Sequence, residues 1–125
     1  MRRSHAIVVT IAVCALALAA CGEAPTGPVG AGPVATTRVD LPKSYKFAPA
    51  AIVVKAGSTV TWTNSDNFTH SVQFDGEASP GSVMKPGDST SHTFEKAGTY
   101  GYICAFHPQD MKGTVLVTAS GSANP

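Results

Sequence analysis

Cysteine is scarce in this chain: three in 125 residues, at positions 14, 21 and 104. Charge is scarce too, at 14% of residues, with 9 Lys+Arg against 8 Asp+Glu. No basic excess and no basic cluster is present, which excludes a nucleic-acid binder by charge. Nothing repeats at a fixed period, so solenoids and propellers are excluded. From residue 39 onward, no stretch of ten or more residues carries an apolar stripe of period 3.6. The length excludes two ordinary domains, and 43% hydrophobic residues exclude a wholly disordered chain. One small domain remains, and its start has to be located.

The first residues are Met1-Arg2-Arg3-Ser4-His5, followed by an uncharged, largely apolar run from Ala6 to Ala20. A positive segment and a run of this length match a secretory signal and fall short of the roughly 20 residues a spanning helix needs. The run ends Leu18-Ala19-Ala20-Cys21-Gly22, which resembles a bacterial lipobox. The expectation is removal of residues 1–20, a diacylglycerol on the Cys21 thiol, and an exported, lipid-anchored protein outside the cytoplasm. Losing Arg2 and Arg3 leaves 7 basic and 8 acidic groups. It also leaves Cys104 as the one free thiol, with no partner for a disulfide. A lone thiol in an oxidising compartment calls for burial, metal ligation or catalysis. Residues 21–38 are expected to be a Gly/Pro-rich tether, with 4 Gly and 3 Pro between Gly22 and Arg38. Extended, such a tether reaches at most about 55 Å. Residues 120–125 read as a loose tail.

Residues 39–119 alternate short β-type runs with turn signals. The runs are 51–55, 58–63, 71–74, 89–94, 99–104 and 113–118, and the turns include Ala56-Gly57, Asp75-Gly76, Lys85-Pro86-Gly87-Asp88 and Ala97-Gly98. Short strands at this spacing predict an all-β sandwich or barrel. Alternation places Val60 with Trp62, Val72 with Phe74, and Tyr100 with Tyr102 and Cys104, each set facing inward. A core of this size is marginal, and a metal that cross-links distant segments would support it.

Cys104-Ala-Phe-His107-Pro-Gln-Asp-Met111 packs a thiol, an imidazole and a thioether into eight residues. That donor set selects copper, the weak thioether being typical of electron-transfer sites. A fourth ligand has to come from elsewhere, and His70 sits in a suitable break between two strands.

The segment Phe94 to Val117, FEKAGTYGYICAFHPQDMKGTVLV, resembles the C-terminal half of the small cupredoxins of amicyanin and plastocyanin type. Phe47-Ala48-Pro49, Val60 to Asn64 and His70-Ser71-Val72 resemble the earlier strands of that family. The resemblance implies a Greek-key β-sandwich with one type 1 copper ion at one end, cycling between Cu(I) and Cu(II). It implies His70, Cys104 and His107 as equatorial ligands and Met111 as the axial one. Three residues separate His107 from Met111, where amicyanin-like loops have two and plastocyanin-like loops four. Ser71 stands where the family often has Asn. Its N–H can still reach the thiolate, and the departure leaves a side-chain tie across the site open. Pro108 has no N–H to offer near the metal.

The expected function is one-electron transfer between membrane-associated redox partners, by a monomeric carrier that is not an enzyme. The alternative is copper storage or delivery without a relay. A Cys/His hydrolase lacks an orienting third residue. Zinc on one Cys and two His is chemically allowed, with the thioether against it. Haem attachment lacks its C-x-x-C-H, and a trinuclear copper cluster lacks its H-x-H pairs. Met84 and His92 are expected to serve packing and a strand edge, and Asp66, Asp75 and Asp88 to serve turns. Phe68, Phe106 and Pro108 are expected to form an apolar rim for docking.

Overall fold

The computed structural model describes residues 32–120. The expected signal peptide, the Cys21 lipid site, most of the tether and the last five residues lie outside them. The described residues form nine strands: β1 (Val34–Ala35), β2 (Arg38–Leu41), β3 (Ala51–Lys55), β4 (Ser58–Asn64), β5 (His70–Phe74), β6 (Ser82–Met84), β7 (Ser89–Phe94), β8 (Gly98–Ile103) and β9 (Lys112–Thr118). They form a six-stranded sheet, ordered β1-β3-β9-β8-β5-β6, and a three-stranded sheet, ordered β2-β4-β7. The all-β sandwich is therefore observed, with no helix among the described residues.

Period-two alternation makes the layers. In β4, Val60, Trp62 and Asn64 point inward and are buried. Thr59, Thr61 and Thr63 point outward, where they pair by hydroxyl with Thr93, Ser91 and Ser89 of β7 at 2.8–2.9 Å. Trp62 centres the core, with Phe74, Phe94 and Tyr102 packed edge-on or tilted around it. Gly113 lies opposite Tyr102 in the β8–β9 register. A Cβ there would collide with the tyrosine ring, so this close approach requires glycine.

Two strands include residues before 39. β1 pairs in parallel with β3, and Arg38 opens β2 beside Thr61. Both fall within the stretch expected to be tether. A two-residue strand of exposed side chains has no periodicity to read.

Strand directions gather one end of the sandwich. β4 ends and β5 begins there, joined by residues 65–69, and β8 ends and β9 begins there, joined by residues 104–111. The loop 42–47 closes the same end, because Asp40 and Ala48 exchange two backbone hydrogen bonds of 2.8 Å.

Candidate metal centre

β5 runs antiparallel to β8, with Gln73 opposite Ile103. Continuing that pairing brings the start of β5 beside the residues that follow β8. The Ser71 N–H accordingly points at Cys104 Sγ, 3.3 Å away. The Ser71 hydroxyl accepts the Ala105 N–H at 2.9 Å. A side-chain tie across the site therefore exists, made by serine. These two bonds clamp both loops together.

The 104–111 segment folds back on itself. The His107 N–H bonds the Cys104 carbonyl at 3.1 Å, and the Met111 N–H bonds the His107 carbonyl at 2.9 Å. The Cys104 N–H closes the loop on the Met111 carbonyl at 3.0 Å. Cys104 and Met111 are thereby held side by side at the mouth of β8 and β9, both fully buried.

His70, Cys104 and His107 present one donor atom each within 4.8 Å of one another. The Nδ1 atoms of His70 and His107 both lie 3.8 Å from Cys104 Sγ. Those are non-bonded separations, too long for useful hydrogen bonds and right for donors sharing one ion. A thiolate and two imidazoles suit copper or zinc. The buried Met111 beside them favours copper. The residues present thus fit a single copper ion.

His70 is oriented by a residue the sequence reading assigned only to a turn. Its Nε2 lies 2.9 Å from Asp66 Oδ2, and both side chains are buried. Asp66 Oδ1 meanwhile accepts the Asn67 N–H at 2.7 Å, which is the expected turn bond. The hydrogen bond from His70, more than any other influence, holds the Asp66 carboxyl below its ordinary range; burial opposes the shift, while the Asn67 N–H and the nearby Lys43 charge assist it. The signal available in the sequence was an acid four residues before a candidate ligand. Its meaning depends on the loop conformation.

That conformation is set by Asn64, the buried last residue of β4. Its Nδ2 donates to the carbonyls of Phe68 and Met84 at 2.8 and 3.0 Å, and its Oδ1 accepts the Asp66 N–H at 2.9 Å. Met84 itself is a buried core residue. His92 lies on edge strand β7, packed against Phe74 and Phe94. Asp88 serves its turn by accepting the Lys85 N–H.

The rim is aromatic. Phe68, Phe106 and Pro108 are exposed, and His107 is half-buried among them. Tyr45, which the sequence did not single out, joins them: its ring stacks on Phe68 and lies 4.6 Å from the His107 ring.

Comparison with known proteins agrees with this geometry. Amicyanin-alpha of Methylorubrum extorquens is 38% identical over 115 residues, covering 86% of this chain and 87% of its own. Plastocyanin of Scenedesmus fuscus is 40% identical over 83 residues, covering 57% of this chain and 85% of its own. The solved amicyanin of Paracoccus versutus superposes with a TM-score of 0.60 at 34% identity, over 70% of this chain and 85% of that one. Residues 34–118 match the family described as copper binding proteins, plastocyanin/azurin family, and the chain belongs to that family.

Proposed function

We propose that this protein is a one-electron carrier outside the cytoplasm, with copper held by His70, Cys104, His107 and Met111. The bound ion would supply a reversible Cu(II)/Cu(I) couple. The chain's own residues do the rest. The carrying observation is the pair of equal Nδ1–Sγ separations, fixed by a frame of backbone and buried side-chain hydrogen bonds. A frame that holds its donors in place needs little rearrangement when the charge at the centre changes. Of the two imidazoles, His70 is fully buried and His107 is half-buried, so His107 is the route to the surface. The Phe68, Phe106 and Pro108 rim suits brief, weak docking of redox partner proteins. We further read the Cys21 motif as the lipid anchor that would keep the carrier at a membrane, as a monomer.

The test is Cu(II) titration of the purified protein, followed by visible absorption and electron paramagnetic resonance. An intense thiolate-to-copper charge-transfer band with narrow hyperfine splitting is expected. A weak, ordinary Cu(II) spectrum would remove the thiolate from the ligand set and bring copper handling or zinc forward. Mass spectrometry of the membrane fraction checks the anchor, which requires a diacylglycerol on Cys21.

A further inference from the structure

The described residues contain five glycines at positive φ, at positions 57, 76, 81, 87 and 98. Only two non-glycine residues share that region, and they are neighbours: Ser44 (φ 105°) and Tyr45 (φ 51°). Elsewhere the chain places glycine where the backbone turns left-handed. At 44–45 it keeps side chains in a backbone region that is strained for them. The loop that carries them is anchored at both ends, by buried Leu41 and Phe47 and by the Asp40–Ala48 hydrogen bonds. Its tip delivers the Tyr45 ring to three other rings. Phe68 stacks on it at 5.8 Å and 26°, and the His107 ring lies 4.6 Å away, tilted by 55°. His70 meets it edge-on at 6.0 Å.

The two imidazoles are held differently. His70 has a buried carboxylate on Nε2. Among the described residues, no side chain or backbone group hydrogen-bonds the Nε2 of His107, and Pro108 after it offers no N–H. The Tyr45 hydroxyl makes no hydrogen bond there either, so the ring, and not its polar tip, explains the placement.

We propose that Tyr45 is a positioning residue of the metal centre. Its ring holds the His107 imidazole in the ligating orientation and screens it from solvent, doing by aromatic contact what Asp66 does for His70 by hydrogen bond. This rests on His107 being a ligand, but the contact between the two rings can be measured in the metal-free protein as well as in the loaded one.

The test uses the full chain, with Tyr45→Phe and Tyr45→Gly. Glycine removes the ring and suits the positive φ, so folding should be unharmed or improved. In the metal-free protein, the His107 ring protons should show a ring-current displacement by NMR. That displacement should persist in Tyr45→Phe and shrink in Tyr45→Gly to what the His70 ring, 5.2 Å from His107, supplies. In the copper form, release to a chelator should be unchanged for Tyr45→Phe and roughly two- to tenfold faster for Tyr45→Gly, the range an aromatic pair supplies. The melting temperature of Tyr45→Gly should not fall. Unchanged His107 shifts, or an unchanged release rate, in Tyr45→Gly would overturn the proposal. So would a wild-type metal-free spectrum without the displacement, which needs no variant to fold. If the chain holds no thiolate-bound copper, the function proposed above fails while the metal-free measurement still decides this one.

Discussion

A buried carboxylate 2.9 Å from the Nε2 of an imidazole fixes that ring's tautomer and makes its Nδ1 a better donor. Asp66→Ala should weaken copper binding by about 10–100-fold, read by competition titration. Asp66→Asn keeps an acceptor but loses the charge that favours Cu(II). Its reduction potential should rise while most of the affinity remains. An equal loss in both variants would mean that charge, and not orientation, is the contribution. Tyr102 makes a different case. Burial pushes its phenol up to about 12 from 10.0, and the nearby Trp62 indole offsets this only in part. The two polar atoms do not reach hydrogen-bond geometry, and both lack a partner. Above pH 10 the unfolded phenol loses its proton while the folded one keeps it. The folded state then binds more protons, so stability falls as pH rises, by about 2–3 kcal/mol at pH 12. Tyr102→Phe should remove this alkaline loss in denaturation curves. At neutral pH it should leave stability unchanged or raise it by about 1 kcal/mol, since no hydrogen bond is lost.

β4 shows why some elements are legible in a sequence and others are not. Val60 and Trp62 alternate with threonines and end at Asn64, and the strand appears where that pattern places it. The same holds for β3, β5, β7, β8 and β9, within a residue or so at each end. β1, β2 and β6 have two to four residues and give no such pattern, because their pairing is decided by neighbours distant in the chain. The motif from Cys104 to Met111 could be read because its donors are close in sequence, and His70 because a familiar strand pattern surrounds it. Asp66, Asn64 and Tyr45 could not, because their roles depend on where the loops fold. Asn64→Ala tests this most directly. It would leave the Phe68 and Met84 carbonyls and the Asp66 N–H without their present partner. A cost of about 1–3 kcal/mol is expected in chemical denaturation. Hydrogen exchange at the Asp66 amide should also accelerate by more than the global destabilisation explains. Exchange that merely tracks global stability would show that the loop is held by something else.

At the scale of the molecule, the proposed copper would join two loops through His70 and Cys104, which are 34 residues apart. The sandwich has no disulfide among its described residues to do so. Binding to the folded state alone stabilises by mass action, about 4 kcal/mol when free copper is a thousandfold above its dissociation constant. For a domain of this size that corresponds to a rise in melting temperature of at least ~15 °C. Cys104→Ala should abolish the rise while leaving a folded metal-free domain. The two oxidation states then separate carrier from handler. A carrier must retain its ion through the whole cycle, so both Cu(I) and Cu(II) should lift the melting temperature well above that of the metal-free protein. A protein that releases copper on a change of oxidation state would be stabilised by one form and little by the other. The frame of Asp66, Asn64 and Ser71 is made of hydrogen bonds within the chain itself, so neither oxidation state has to build it. Melting the metal-free, reduced and oxidised forms in parallel should therefore give two large shifts. A single large shift would turn the reading toward delivery.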